Sequence, residues 1–317
     1  MKTKTKFFLL WAVLIFAAAL VFFLGMPEDN AGVSIGYKKH LGYIPFFVAM
    51  ENGYYEAEGL EVRSVVFDST NQMLGAVVSG HIDAAIGAAN LQTVYSMEEQ
   101  SPGSIKIFNT VDIAKGNLFS CVMVKEGSGI HGLEDLEDAS IGTMPGSFPP
   151  LWIEATIAIA GLGLEDITVM QIAPNLQLPA LESGQVDALV TVEPVCTFGL
   201  NKGIGRIIYE EPLANFAKTF GSSVISAEFA GMNPWAAKRI MSATDKAIDF
   251  IQTNPEESML IMAKWTGYKP ELITGMKPPV YSKSDDINVE DLENVAEILY
   301  HKGVLDRRID SRAMVYR

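Results

Sequence analysis

One pattern occurs twice in this chain, and whatever it folds into must hold both copies. Leu74 to Gly87 reads LGAVVSGHIDAAIG and Leu178 to Thr191 reads LPALESGQVDALVT, in register without a gap. The pairs Leu74/Leu178, Ala76/Ala180, Ser79/Ser183, Gly80/Gly184, Asp83/Asp187 and Ala84/Ala188 are identical. Each copy predicts a short helix that ends at a glycine able to take the left-handed conformation, then a turn shaped by Asp, then a small apolar strand.

The likeness extends upstream. Ser34-Ile35-Gly36 answers Ser140-Ile141-Gly142, Pro45 answers Pro150, and Gly59-Leu60-Glu61 answers Gly163-Leu164-Glu165. Each half therefore spells strand, loop with proline, helix, strand, polar loop, helix, strand. That is βαβαβ, the unit of a doubly wound parallel sheet, so two such lobes are expected.

Lys2, Lys4 and Lys6 precede Phe7 to Leu24, a run without a charge, glycine or proline. At 1.5 Å per residue it spans about 27 Å, close to the hydrocarbon thickness and longer than the core of an ordinary signal peptide. Cleavage after Ala17-Ala18-Ala19 would leave LVFFL on the mature end, so residues 1–24 are read as an uncleaved transmembrane signal anchor. No cysteine follows for lipid attachment. The lysines on the short side place the rest of the chain outside the cytoplasm, in the periplasm or at the cell surface.

The chain carries 24 Lys and Arg against 38 Asp and Glu, a net charge of −14. Such a surface repels nucleic acid and anionic lipid. About 290 exported residues exceed one compact core. Lobe I is assigned to residues 33–119 plus 222–317 and lobe II to 120–221, with crossing strands at Phe119–Lys125 and Ser222–Glu228. Cys121 and Cys196 are the two cysteines; outside the cell they can pair, or stand as buried free thiols.

In open α/β sheets ligands sit beyond the carboxyl ends of the strands, where helix N-termini point outward. Those positions are His40, Tyr43, Ser69, Thr70, Asn71 and Asn90 in lobe I, and Thr143, Ser147, Phe148, Asn175 and Glu193 in lobe II. Ser69-Thr70-Asn71 and Gly146-Ser147 precede helices and suit either ordinary capping or an anion. Glu193 stands before Pro194 with no helix to cap, and could meet a ligand ammonium or a Lys or Arg across the cleft. His40 could donate to an anion, and Tyr43 and Phe148 could wall the pocket or pack locally. Asp83 and Asp187 recur in both copies, which reads as architecture rather than as a catalytic pair.

No G-x-x-x-x-G-K-[ST], H-E-x-x-H, G-x-S-x-G or C-x-x-C pattern occurs. His40, His81, His131 and His301 are dispersed, so neither a metal site nor a cofactor is expected.

Gly53-Tyr54-Tyr55 with Gly59-Leu60 and Val62, Ser79-Gly80 with Asp83-Ala84, Gly127 to Leu136, Glu193-Pro194, and the Asn-Pro pairs at Asn233 and Asn254 form an ordered set. In that order they resemble solute-binding proteins of the nitrate/sulfonate/taurine type of ABC importer, near the thiamine-pyrimidine-binding group. The likeness runs from Val33 to about Gly267. It implies the two-lobed type II periplasmic-binding-protein fold, a ligand held between the lobes, and delivery to a permease with its ATPase. The ligand loops of that family would fall at 40–43, 69–71, 87–90, 143–148 and Glu193.

The expectation is a membrane-anchored, non-enzymatic binding protein for a small anionic or zwitterionic organic solute. An aliphatic sulfonate such as taurine comes first, with nitrate, bicarbonate or a thiamine-pyrimidine precursor next. The alternative is an enzyme on the same fold, of the pyrimidine-precursor synthase or menaquinone-pathway type. Export of the chain and the missing cysteine-rich signature of the related pyrimidine synthases weigh against it.

Overall fold

The computed structural model describes residues 31–317 apart from Lys115, Ser147 and Phe148. The expected anchor at 1–24 and the candidates Ser147 and Phe148 lie outside the described residues. Among those described, no helix is long and apolar enough to cross a membrane.

Strands β1 (Ala31–Tyr37), β2 (Leu60–Val66), β3 (Ala84–Asn90) and β4 (Ile105–Asp112) belong to one sheet. Strands β5 (Ser120–Lys125), β6 (Ser140–Thr143), β7 (Thr168–Gln171), β8 (Ala188–Val192) and β9 (Gly205–Glu210) form a second. The chain then returns through β10 (Thr219–Ser226) and β11 (Val280–Ser282) to the first. The strand orders are β11-β4-β10-β3-β1-β2 and β7-β6-β8-β5-β9. In each sheet the repeat supplies three parallel strands, β2-β1-β3 and β7-β6-β8, and an antiparallel strand from the other half of the chain closes them: β10 on β3, β5 on β8. β3 is buried almost throughout and β8 throughout, as expected of central strands covered on both faces.

The repeated residues do the same work twice. Gly80 and Gly184 close their helices at φ 71° and 77°, a conformation that costs a side-chain-bearing residue energy. The carboxylates of Asp83 and Asp187 then reach back to the start of the first strand of their own repeat, β1 and β6. Asp83 Oδ2 accepts from the Ser34 N–H at 2.7 Å, and Asp187 Oδ2 from the Ser140 N–H at 2.8 Å and the Ser140 hydroxyl at 2.5 Å. Both acids are therefore architectural ties between the third strand and the first.

The helices that concern the site are α1 (Ile44–Glu51), α2 (Thr70–Val78), α3 (Leu91–Gln100), α4 (Pro149–Ile157), α5 (Pro174–Ser183) and α6 (Val195–Asn201). Two were not expected. α3 lies where the sequence was read only as the end of β3, although Leu91, Val94 and Tyr95 recur at helical spacing and are buried. α6 is a short, glycine-containing turn of helix with no polar stripe to announce it.

β5 and β10 each lie wholly within one sheet, so the crossings run through residues 113–119 and 211–218. There the Ile113 N–H donates to the Lys218 carbonyl at 2.8 Å, and the rings of Phe119 and Phe220 lie 5.3 Å apart. β10 begins earlier than the expected Ser222 because the Thr219 hydroxyl donates to Asp112, extending the pairing towards the crossing. Cys121 of β5 and Cys196 of α6 form a disulfide, with Cα atoms 6.1 Å apart. The free-thiol alternative is thereby set aside, and α6 is fastened to its own sheet.

Candidate binding site

A cavity of about 630 Å³ opens between the carboxyl edges of the two sheets. First-turn residues of three helices line it: Ser69, Thr70 and Asn71 at α2, Asn90, Gln92 and Thr93 at α3, and Pro149 at α4. The N-termini of α2 and α3 bring unpaired N–H groups and a positive dipole end, and α4, which opens on Pro149-Pro150 and so lacks those first N–H groups, adds only its dipole; together they favour an anion. Ser69 and Asn90 are also the caps of their helices. Ser69 Oγ accepts from the Gln72 N–H at 3.2 Å and Asn90 Oδ1 from the Thr93 N–H at 3.4 Å. Capping and cavity lining are thus combined in the same residues.

Lys38, just past β1, supplies the full charge, and the sequence reading did not single it out. Its ammonium donates to the Thr70 hydroxyl at 3.2 Å and lies 5.8 Å from the centre of the Tyr43 ring. Among the described residues no carboxylate pairs with it. Burial holds its pKa below the usual lysine value. Among the described residues no Asp or Glu lines the cavity. An acidic protein has therefore kept its own negative charge out of the described cleft lining and left one half-buried ammonium there. Its position at the carboxyl end of a parallel strand was the available signal.

His40 caps the turn that follows. Its Nδ1 accepts from the Gly42 N–H at 3.2 Å, and the backbone carbonyl of Glu193, on the opposite sheet, lies near enough to favour the protonated ring. Burial, with the charge of Lys38 adding to it, lowers the imidazole pKa to about 4, while the nearby Glu193 carbonyl opposes the shift. The ring is neutral at pH 7. With Nδ1 accepting, its proton sits on Nε2, the atom left to donate across the cleft.

Glu193 is buried, and its carboxylate is fully engaged. Oε2 accepts from the Thr197 N–H at 2.9 Å and Oε1 from the Thr197 hydroxyl at 2.5 Å. The expectation that Glu193 has no helix to cap is corrected: α6 begins two residues later, and the carboxylate satisfies a donor in its first turn. Burial raises its pKa to about 7 against the effect of those two bonds, with Glu211 adding repulsion.

The remaining candidates divide clearly. Thr70 and Asn71 line the cavity. Tyr43 is buried behind it and donates to the Ala88 carbonyl at 3.3 Å, bracing the loop that carries His40. That fit requires Gly87: a Cβ there would stand 2.8 Å from the Tyr43 Cα. Thr143 is buried and ties β6 to β8 through the Val190 carbonyl at 2.8 Å. Asn175 stands exposed in the first turn of α5, away from the cavity lining. Ala88, Met144, Pro145 and Gly146 line it within the expected loops 87–90 and 143–148, whereas Gln92, Thr93, Ser96, Met97 and Gln100 of α3, with Pro149, Val192 and Phe220, were missed by sequence reasoning besides Lys38. Among the described residues no cluster of His, Cys, Asp or Glu could hold a metal ion.

The NMT1/THI5 like family profile matches residues 41–258, a stretch that contains the second sheet, β2, β3, β4 and β10 of the first, and all of this lining but Lys38 and His40. The chain belongs to that family. A proposed aliphatic sulfonates-binding protein of Escherichia coli is 23% identical over 305 residues, covering 93% of this chain and 92% of the relative. Among solved structures, the periplasmic aliphatic sulphonate binding protein SsuA of Escherichia coli aligns with a TM-score of 0.76 at 20% identity, over 91% of this chain and 93% of its own. The periplasmic nitrate-binding protein NrtA of Synechocystis PCC 6803 aligns with a TM-score of 0.68 at 16% identity, over 90% and 85%. As a member of the NMT1/THI5 like family, the chain has the α/β periplasmic-binding-protein fold of these neighbours.

Proposed function

We propose that this protein is the extracytoplasmic solute-binding component of an ABC importer and that its cleft takes a small organic oxyanion, an aliphatic sulfonate first. The observation that carries the reading is the Lys38 ammonium, placed without a carboxylate partner among the described residues where three helix N-termini converge. A sulfonate oxygen can replace the water that such a site would otherwise hold, with charge-assisted hydrogen bonds from Lys38 and Thr70. A cavity of about 630 Å³ is far larger than a nitrate ion needs, which favours an organic ligand. Glu193 offers no counter-charge to a ligand ammonium because its carboxylate is buried against Thr197 and does not line the cavity.

Lobe I would comprise residues 33–119 and 222–317 and lobe II 120–221, with His40 and Glu193 meeting as the lobes shut. Closure is driven by the contacts a ligand gains on both edges at once. The partners would be a permease and its ATPase, with residues 1–24 holding the protein at the membrane. The test is thermal unfolding with a panel of an alkanesulfonate, taurine, nitrate, bicarbonate and an aminopyrimidine. A bound ligand raises stability by about RT ln(1 + [L]/Kd). A rise with the alkanesulfonate supports the reading; no rise with any member of the panel counts decisively against it.

A further inference from the structure

The cleft-facing side of α3 carries a pattern that the oxyanion site does not use. Gln92, Ser96 and Gln100 recur every fourth residue, hence along one face, and all three line the cavity together with Thr93 and Met97. From Gln92 to Gln100 the stripe runs about 12 Å at 1.5 Å per residue. It begins beside the α3 N-terminus and ends at the exposed Gln100. Leu91, Val94 and Tyr95, on the other side of the helix, are buried in the first lobe's core.

A solvated helix face in a protein this acidic ordinarily carries charge. This one carries amides and hydroxyls, and both carboxylates of the helix are committed elsewhere. Glu98 accepts from the Gly103 N–H at 2.7 Å, and Glu99 from the N–H groups of Asp306 and Arg307 at 2.8 and 3.0 Å. Neither the Ser96 hydroxyl nor the Gln100 amide has a hydrogen-bond partner among the described residues. From the second sheet's side, Met144 and Pro145 line the same cavity.

We infer that α3 is a tail subsite and that the ligand is an extended organic oxyanion, a step that rests on the binding-protein reading above. The acidic head lies at Lys38 and Thr70, and an uncharged tail bearing hydroxyl, ether or amide groups lies along Gln92, Ser96 and Gln100. Amides and hydroxyls both donate and accept, so they match such a tail, whereas a purely alkyl tail would strip their water and return nothing. Met97 and Met144 supply adaptable apolar contact to its carbon skeleton.

Calorimetric titration of the detergent-solubilised full chain with methanesulfonate, 1-hexanesulfonate and 6-hydroxyhexane-1-sulfonate tests this. The hydroxylated sulfonate should bind tighter than either of the others by about two- to tenfold, the net gain of one hydrogen bond. Combining Ser96→Val with Gln100→Leu should collapse that ratio and turn the preference towards 1-hexanesulfonate. If the pair fails to fold, Ser96→Ala and Gln100→Ala singly should each lower the ratio. Equal or tighter binding of methanesulfonate or 1-hexanesulfonate to the parent protein overturns the tail subsite and leaves the oxyanion reading standing. If none of the three binds, the oxyanion reading falls and the subsite with it.

Discussion

His40 and Glu193 stand on opposite sheets, close enough for the glutamate's backbone carbonyl to act on the imidazole, and burial pushes the two side chains' pKa values in opposite directions. The imidazole drops from its ordinary 6.5 to about 4, and the carboxyl climbs from 4.5 to about 7. For His40 the unfolded chain binds the extra proton, so its contribution is complete above pH 6.5 and is lost as pH falls towards 4. For Glu193 the folded chain holds the extra proton, so its contribution is complete below pH 4.5 and is lost as pH rises towards 7. Between pH 4.5 and 6.5 the two slopes oppose, each by at most about 1.4 kcal/mol per pH unit. His40→Asn should unmask a stability that declines with rising pH in that window, and Glu193→Gln one that increases. Urea unfolding at pH 4.5, 5.5 and 6.5 reads both slopes; a parental pH profile in both variants refutes the assignment.

Removing Lys38 should separate binding from stability. Its ammonium is desolvated and has no ion pair among the described residues, so Lys38→Met relieves a burial cost in the empty protein. The melting temperature without ligand should hold or rise, while sulfonate affinity falls by roughly 10- to 100-fold, the worth of a charge-assisted contact. Scanning calorimetry and titration of the same sample decide it. Parental affinity in Lys38→Met would remove Lys38 from the site.

Reducing the Cys121–Cys196 disulfide should destabilise the second sheet selectively. The bond spans 75 positions of sequence, for which the chain-entropy account gives about 4 kcal/mol. Cys121→Ala with Cys196→Ala should lower the melting temperature, and hydrogen exchange should quicken in β5 and α6 before β1 to β4. Uniform quickening across both sheets would contradict this.

Asp83→Asn and Asp187→Asn test whether the repeated acids are architecture. Each loses a carboxylate bond to the first strand of its repeat, at a cost of about 1–2 kcal/mol, discounted at Asp187 because that residue is exposed. The ties lie in different sheets, so the costs should add in the double variant. Titration should show sulfonate binding unchanged in both; a large affinity loss would make one of them part of the site.

Much of the architecture was legible in the repeat because its signals are local. Gly80 and Gly184 mark helix ends through backbone conformation, and Ala84 and Ala188 open strands through continuous apolar runs. The site was legible by location more than by role. Thr70, Asn71 and Asn90 do line the cavity, yet Glu193 turned inward to cap α6, a helix too short to leave a periodic trace. Helix α3 was hidden in a different way: its cleft face carries uncharged polar residues, which in sequence look like a loop.

What the sequence determined alone was that two βαβαβ halves exist, that the repeated aspartates are architecture, and that the strand ends, where the cavity opens, hold the candidate residues. Those features depend on neighbours along the chain or on one repeated contact. Only the tertiary structure decided that Lys38 stands without a carboxylate partner among the described residues, that Cys121 meets Cys196, and that α3 turns its amide stripe towards the second sheet. Each of these depends on how separate elements are set against one another, and pairwise distance in space leaves no period in the sequence.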